Sequence, residues 1–435
     1  MNTKFIVLLP GIIFSFVFLL LNILYTNTVI RENSPIFAAF IAIIVAIFTF
    51  QKKEIFNKRI EVFIEGSSQL IVIHMCYIIF LSTIFTTILE CTGSMASIVN
   101  ICLHIIPTSF ILPGMFLGSL IFAFTLGTSL GVIAAFMAIS LNLSHHVGLN
   151  PSLVAATIVC GSIVGENLSI LSDANIISRK ITGSSMIQKF LLDIKIILPA
   201  LLGTIILLTY KNNLITTNMH FENLSALSWL DFIKSIPYIV AFYLGLIGLD
   251  IIIVMVSGII LALTIGICLH DFTMLTAINL LFDGFYNTKD MVNLFILVVL
   301  LSGLTAMIKH NQGFEYLIIK IKNRVTNKFH ARIAIFLVIT MINITIAINT
   351  LSILIAGPIA TQISNDSNLD SSEAASLLNI SSCVSQGLLP YTPQLLLAAS
   401  MAQVSAISLL PYLYYQYFLA ISLFVFIAWK KKSAQ

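Results

Sequence analysis

The chain has 435 residues, of which 58% are hydrophobic and 9% are charged, and its formal net charge is +4. A soluble protein of this length could not cover so much apolar surface with polar side chains, so water-soluble classes are excluded. We therefore expect the lipid bilayer as a partner and no nucleic acid, and the positive charge is interpreted as a signal of membrane topology.

Apolar runs follow one another along most of the chain. Since about 20 such residues cross a bilayer, they predict an all-α polytopic membrane protein with about 11 or 12 transmembrane segments. Residues 1–24 carry Lys4 and then an apolar run without a small-residue cleavage site, so they are predicted to form the first span. Several later runs have Gly, Pro or Ser in the middle, which predicts broken or re-entrant helices.

The second half of the chain repeats the first at an offset near 220 residues. The stretch 149–168 matches 369–388 at an offset of 220, and 127–134 matches 349–356 at an offset of 222. The chain is accordingly divided into N-terminal spans (1–60), a first repeat with a broken helix and a re-entrant hairpin (61–210), connecting spans (211–290) and a second, inverted repeat (291–435).

Basic residues test the duplication independently, because cytoplasmic loops collect Lys and Arg. The loop before the first repeat is basic, while its counterpart at 270–290 has one Lys against three Asp. One span later the bias reverses, since 101–113 has no Lys or Arg and its counterpart has five. Equivalent loops are thus predicted to lie on opposite sides of the membrane, as in an inverted-topology repeat. The basic residues are Lys52, Lys53, Lys58 and Arg59 before the first repeat, and Lys320, Lys322, Arg324, Lys328 and Arg332 in the second.

Basic residues near the two ends predict the orientation of the whole chain. Lys4 and the basic second loop place the N-terminus in the cytoplasm, and the tail Lys430–Lys432 places the C-terminus there too. We therefore expect a multi-pass protein of the bacterial inner membrane.

The first polar stretch inside apolar sequence is Thr125–Gly131, within the run from Phe110 to Leu143. Glycines flanking the hydroxyls of Thr128 and Ser129 allow the helix to unwind, which exposes backbone carbonyls and brings hydroxyl oxygens to a cation. The alternative is close helix packing through small residues.

The second stretch, Gly161–Asn175, contains two carboxylates after an apolar run. A charged side chain at bilayer depth costs about 2–3 kcal/mol or more, so such residues usually face a partner or a cavity. On an unbroken helix Glu166 and Asp173 would stand roughly 10 Å apart along the axis, so unwinding between them is needed to bring them together. The alternative is that Asp173 caps a helix at the interface, beside Arg179.

Two matching stretches lie in the second half. Asn349 and Thr350 supply neutral oxygens ahead of Pro358, which frees a backbone carbonyl from its helical partner. The alternative for a single Asn in a span is an interhelical hydrogen bond. Ser381–Gln394 combines hydroxyls, amides, a glycine and two prolines, which is too polar for a lipid-facing helix. Both repeats thus place a polar break at the same point.

Together the four stretches predict a site of oxygen ligands with one or two carboxylates, which suits a hard cation such as sodium. A carboxylate that binds either sodium or a proton, but not both, couples the two fluxes. Asp173 is the first candidate for this role and Glu166 the second, and no enzyme activity, cofactor or transition metal is expected. The primary candidates are Asp173, Glu166, Thr128, Ser129, Asn349 and Thr350, and the secondary candidates are Asn167, Ser169, Ser172, Ser385, Gln386 and Tyr391.

At these four stretches the sequence resembles the NhaC family of sodium/proton antiporters, which carries GTSWGT-like, GDHCSPISDTT-like, NNTVAI-IAGP and SASLLD-FSCVVQGLIPYGAQLL motifs. The matching text is Gly127–Gly131, Gly165–Asp173, Asn349–Pro358 and Ala375–Tyr391, and the last motif is the most specific. The similarity extends over nearly the whole chain from residue 60 onward. It implies sodium efflux driven by proton entry, a fold similar to that of ion transporters with paired re-entrant hairpins, and by analogy a homodimer.

The departures from the family pattern lie beside the carboxylates. Glu166 stands where the family has Asp, Asn167 where it has His, and Ile170 where it has Pro. Because some relatives carry small organic anions or amino acids along with the ions, the alternative function is a sodium- or proton-coupled transporter of a small organic acid or amino acid. An intramembrane enzyme would leave the inverted duplication unexplained, and a channel suits matched titratable breaks less well than alternating access does.

Overall fold

A computed structural model describes residues 9–24, 28–49, 56–105, 107, 110–216, 226–286, 289–311 and 325–432. Over these residues the regular structure consists of α-helices and short 3₁₀ turns. Six of the basic residues used above to predict topology lie outside the described residues, namely Lys4, Lys52, Lys53, Lys320, Lys322 and Arg324.

The helices follow one another with short connections. In chain order they are α1 (Leu9–Leu24), α2 (Thr28–Phe48), α3 (Phe56–Ser67), α4 (Leu70–Cys91), α5 (Ser94–Ile105), α6 (Ile111–Leu126), α7 (Ser129–Val147), α8 (Pro151–Leu168), α9 (Asp173–Thr182), α10 (Met186–Thr216), α11 (Trp229–Leu246), α12 (Ile251–Cys268), α13 (Met274–Tyr286), α14 (Lys289–His310), α15 (Lys328–Ile346), α16 (Asn349–Asp366), α17 (Ser371–Leu388), α18 (Pro393–Met401), α19 (Ala406–Leu409) and α20 (Tyr414–Lys432).

The predicted all-α polytopic membrane protein with broken helices is confirmed. Within the described residues, six helical stretches are long and apolar enough to cross a membrane, and a further pair is bent by 92° at its break. Other apolar runs of the sequence are shorter helices, among them Ile111–Leu126 and Ser129–Ser144. The six stretches are Val72–Cys91, Pro151–Thr182, Met186–Leu214, Ile251–Cys268, Val292–His310 and Lys328–Ile346.

The order and length of the elements repeat along the chain. Both α8 and α17 have 18 residues, and each starts after an N-cap whose side chain accepts a hydrogen bond from the backbone two residues later. The residue before each hairpin connection is left-handed, at Gly127 with φ 73° and at Ala347 with φ 59°. Equivalent breaks therefore lie 220 residues apart. The alignment of 127–134 with 349–356 at an offset of 222 is wrong by two residues. The equivalent helices are α6 and α15, α7 and α16, α8 and α17, and α9 and α18.

The two breaks in each repeat differ in shape. A Cβ added to Gly118 in α6 would lie 2.9 Å from the ring of Phe136 in α7. On a continuous helix these residues would be roughly 27 Å apart, so α6 and α7 fold back on each other as a hairpin. In the second repeat Ser352 Oγ donates to Asn343 Oδ1 across the equivalent hairpin at 2.7 Å. By contrast, α8 and α9 together form one 32-residue stretch that is interrupted at 169–172.

The hairpin tip of the first repeat packs directly on the interrupted stretch. A Cβ at Gly127 would come within 2.8 Å of the Leu171 carbonyl carbon and 2.9 Å of the Ser172 nitrogen. Glycine is required here both for this close approach and for the left-handed backbone. The stretch Thr125–Gly131, expected to be an unwound helix, is therefore a hairpin tip held against the unwound segment of the next span.

Candidate cation site

The two hairpin tips and the two interrupted stretches meet around one cavity of about 70 Å³. All six primary candidates line it, although they come from both halves of the chain. Its lining residues from these breaks are Gly127, Thr128, Ser129, Leu130, Glu166, Asp173, Asn349, Thr350, Gln386 and Gln394, joined by His74, Met75 and Ile78 of α4.

Glu166 is the buried carboxylate of this cavity, with 9% of its surface exposed. Its Oε2 accepts a hydrogen bond from the backbone N–H of Ser129 at 3.2 Å. Ser129 is the first residue of α7. The N-terminus of a helix favours negative charge, because its N–H groups are unpaired and the helix dipole is positive there. From the other half, Asn349 Nδ2 donates to Oε1 at 3.5 Å. Both repeats therefore hold the same carboxylate.

Asp173 lies at the more open part of the cavity, where its side chain is exposed. It is the first residue of α9, and the N-cap of that helix is Ser172. Asp173 therefore lies in the first turn of α9, one residue after the N-cap position. Unwinding between residues 168 and 173 brings Asp173 and Glu166 to one cavity, as the sequence analysis required.

Neutral polar side chains connect the two repeats around the carboxylates. Gln394 Nε2 donates to Ser129 Oγ at 3.2 Å, and Gln386 Nε2 donates to Gln394 Oε1 at 2.9 Å. The Oδ1 atom of Asn349 accepts a hydrogen bond from Ser382 Oγ. Since this bond occupies the amide oxygen, Asn349 presents its NH₂ group to Glu166 and acts there as a hydrogen-bond donor.

Of the secondary candidates, Gln386 lines the cavity. Two others, Asn167 and Ser169, line a different pocket on the α10 side of the same segment. Ser172 is buried at the N-terminus of α9, and Ser385 Oγ accepts a hydrogen bond from Asn343 at 2.8 Å. Tyr391 donates to the Ile344 carbonyl at 2.7 Å and is not among the residues that line the cavity.

Two cavity residues with polar side chains, Gln394 and His74, were absent from the sequence-based candidates. Gln394 belongs to the fourth polar stretch, and its polar side chain directly after Pro393 could have identified it. His74 lies in the apolar helix α4, where a titratable side chain is itself a signal of function. Its Nε2 lies 3.4 Å from Asp250 Oδ2, and Asp250 caps α12 through the Ile252 N–H at 2.8 Å.

A cluster of His, Cys or carboxylate side chains that could hold a metal ion is not seen in the part of the chain that the structure describes. No group of three or more His, Cys, Asp or Glu side chains is arranged there to hold a metal ion. The polar atoms of the cavity walls named above are the oxygens and nitrogens of carboxylates, amides and hydroxyls, with one imidazole. Carboxylate, amide and hydroxyl oxygens are ligands that suit hard cations.

A model of the Na⁺/H⁺ antiporter family matches residues 181–430. A search of curated proteins gives no match. Among solved structures, the YdaH transporter of Alcanivorax borkumensis matches with a TM-score of 0.44 and 11% sequence identity, over 100% of this chain and 99% of that one.

Proposed function

Because the chain belongs to the Na⁺/H⁺ antiporter family, we propose that it exchanges sodium for protons across the bacterial inner membrane by alternating access. Within the family we propose that it is of the NhaC type, on the motif resemblance described above. The observation that carries the proposal is Glu166, a buried carboxylate held by a backbone N–H of one repeat and a side-chain amide of the other.

Charge balance explains how such a carboxylate couples two ions. An ionised carboxylate away from bulk water is costly unless its charge is neutralised, and a proton or a sodium ion each does so. Only one of them can occupy Glu166 at a time, so binding of one releases the other. Asp173, at the open part of the cavity, attracts cations toward the buried position. Hydroxyl oxygens of Thr128, Ser129 and Thr350 supply neutral ligands for the dehydrated ion.

Alternating access requires two related conformations, which a duplicated chain provides. The second part of each interrupted stretch packs against the hairpin of the other repeat, α9 against α16 and α18 against α7. This reciprocal packing supports exchange of roles between the repeats when the cavity opens to the other side. The opposite orientation of the repeats, the cytoplasmic termini and a homodimer remain parts of this proposal.

The cavity favours an ion over an organic substrate. Its volume of about 70 Å³ is small beside the roughly 300–1,000 Å³ of pockets that bind drug-sized molecules. Its walls include two carboxylates and, among the described residues, no Lys or Arg that would pair with an organic acid. We therefore prefer sodium/proton exchange to the coupled transport of an organic acid or amino acid.

Purified protein in proteoliposomes with an internal pH-sensitive dye tests the proposal. A proton gradient is imposed, and sodium, lithium or choline chloride is added outside at equal ionic strength. We expect sodium or lithium, but not choline, to change the internal pH faster than in protein-free liposomes. An equal response to all three salts at neutral and alkaline pH would overturn the proposal, and uptake of a labelled amino acid or organic acid would then support the alternative.

A further inference from the structure

The segment 166–176 separates the cation cavity from a second pocket. Glu166 and Asp173 line the cation cavity, whereas Asn167, Ser169 and Asn175 line the second pocket between α8, α9 and α10. This backbone segment therefore forms the wall between the cation cavity and the second pocket. A change in its conformation alters the shape of both pockets.

Asn175 fixes the shape of this wall. Its Nδ2 donates to the carbonyl oxygens of Glu166 at 3.2 Å, of Asn167 at 3.0 Å and of Ser169 at 2.8 Å. Carbonyls at the end of a helix lack intrahelical partners, so Asn175 holds the end of α8 in the interrupted conformation. The amide is oriented by two donors to its Oδ1, namely Lys189 Nζ and Asn379 Nδ2.

Lys189 in turn forms a buried ion pair with Asp193. The distance from Nζ to Oδ2 is 2.6 Å, and only 4% of Lys189 and 2% of Asp193 are exposed. Asp193 Oδ1 has no hydrogen-bond partner among the described residues, although both side chains line the second pocket. Such an oxygen is costly to bury, since a buried carboxylate normally has all its acceptor sites satisfied.

Among the residues that the structure describes, few other charged or titratable groups face this pair. Arg179 of α9 lines the same pocket. Cys383 of α17 and Tyr415 of α20 are nearby titratable groups on two of the helices packed against α10. Glu373 of α17 is bound by Arg332 and Lys430, and α6 and the pocket-facing side of α8 contribute no charge. The charge of the pocket is therefore governed by Lys189, Asp193 and Arg179.

We propose that Asp193 is a second proton-binding site, which acts through Lys189 and Asn175 on the backbone of the cation cavity. A proton from water entering the second pocket forms an O–H bond at Asp193 Oδ1, so Asp193 becomes neutral while Lys189 keeps its positive charge. Leaving one partner of a buried ion pair uncompensated is strongly unfavourable. The resulting shift of Lys189 releases Asn175 from the end of α8, and deprotonation restores it. Asp193 is a positioning residue, since it does not contact the cation.

This inference rests on the proposed exchange of sodium for protons, so its test compares pH profiles in the same proteoliposome assay. Asp193→Asn mimics the protonated form. Its exchange rate at alkaline pH should fall to the rate that the wild type shows at its acidic limit, with the apparent KM for sodium changed less than about twofold. The variant K189M/D193L removes both charges and should make the rate insensitive to this titration step. Lys195→Met, at an exposed position of the same helix, is the matched control.

The possible outcomes separate the two proposals. An inactive wild type overturns the proposed function. An active wild type with D193N and K189M/D193L profiles parallel to its own overturns the role of Asp193, even if their maximal rates fall.

A measurement on the wild type alone covers the case in which the variants do not fold. A hydrophobic carbodiimide modifies protonated carboxyl groups, and the modified peptides are identified by mass spectrometry. We expect Asp193 to be modified increasingly as the pH falls, with sodium protecting Glu166 but not Asp193. Absence of modification at Asp193 at every pH tested would overturn the inference.

Discussion

The two predicted repeats have corresponding helices but differ in charge at equivalent positions. Glu166 near the end of α8 corresponds to Gln386 near the end of α17, and Asp173 at the start of α9 corresponds to Pro393 at the start of α18. All but Pro393 line the same cavity. Two buried carboxylates facing each other would repel, and one would have to be protonated. Both carboxylates of the cavity therefore belong to the first predicted repeat, and the second contributes neutral amides and hydroxyls.

The largest effect should follow from making the first repeat like the second. Glu166→Gln removes the group that binds either ion, so the sodium-dependent exchange rate should fall by about 100-fold or more. Gln386 occupies the corresponding position of α17, which has the same length as α8, so the variant is expected to fold. Size-exclusion chromatography checks this. Retention of more than about a tenth of the wild-type rate would contradict the comparison.

The next largest effect is expected at Gly127, the left-handed residue of the first hairpin tip. Gly127→Ala should lower the free energy of unfolding by about 2 kcal/mol or more, because its Cβ meets the backbone of Leu171 and Ser172 as well as the strain of positive φ. A thermal-unfolding assay in detergent measures this change. An unchanged Tm would show that the tip does not rest on the unwound segment.

Asp173→Asn should have a smaller effect than Glu166→Gln. Asp173 is exposed in the cavity and attracts the cation through partly screened charge. We expect an increase of about tenfold in the apparent KM for sodium, with a maximal rate close to that of the wild type. Exchange kinetics at several sodium concentrations measure both values. A complete loss of exchange would instead make Asp173 the ion-coupling carboxylate, as the sequence first suggested.

The smallest change is expected at the second tip. Ala347→Gly removes a non-glycine residue from the left-handed region but also a fully buried methyl group, so the two effects should offset each other to within about 1 kcal/mol. The same unfolding assay compares it with Gly127→Ala. A loss of stability as large as that of Gly127→Ala would show that the Ala347 methyl group packs on a neighbour that matters.

The shared position of the candidate residues could be predicted from the sequence because each of them interrupts an apolar run. Thr128, Glu166 and Asn349 have no favourable place in lipid, and the simplest arrangement is a shared polar interior. The structure places them so, while their role in cation binding stays a prediction. The overall helical architecture was likewise predictable from the length of the apolar runs.

The shape of the breaks could not be predicted, since it is decided by residues far from each break. Glycine and hydroxyl residues surround both Gly127 and Ser169, yet the chain folds back only at the first. What differs is tertiary packing, such as that of Gly118 on Phe136. Lys189 and Asp193 were missed for a similar reason. They follow the basic end of α9 in sequence, and only the fold brings Lys189 to Asn175.

The division of the cation site between the repeats has a consequence for biosynthesis. Asn349 is 183 residues later in the chain than Glu166, which corresponds to roughly 10–40 s of translation. During this interval the carboxylate has the Ser129 N–H as its donor but lacks the second repeat. The half-made protein must keep Glu166 hydrated or protonated until its partner is inserted, so insertion of the second repeat is the step that completes a stable interior.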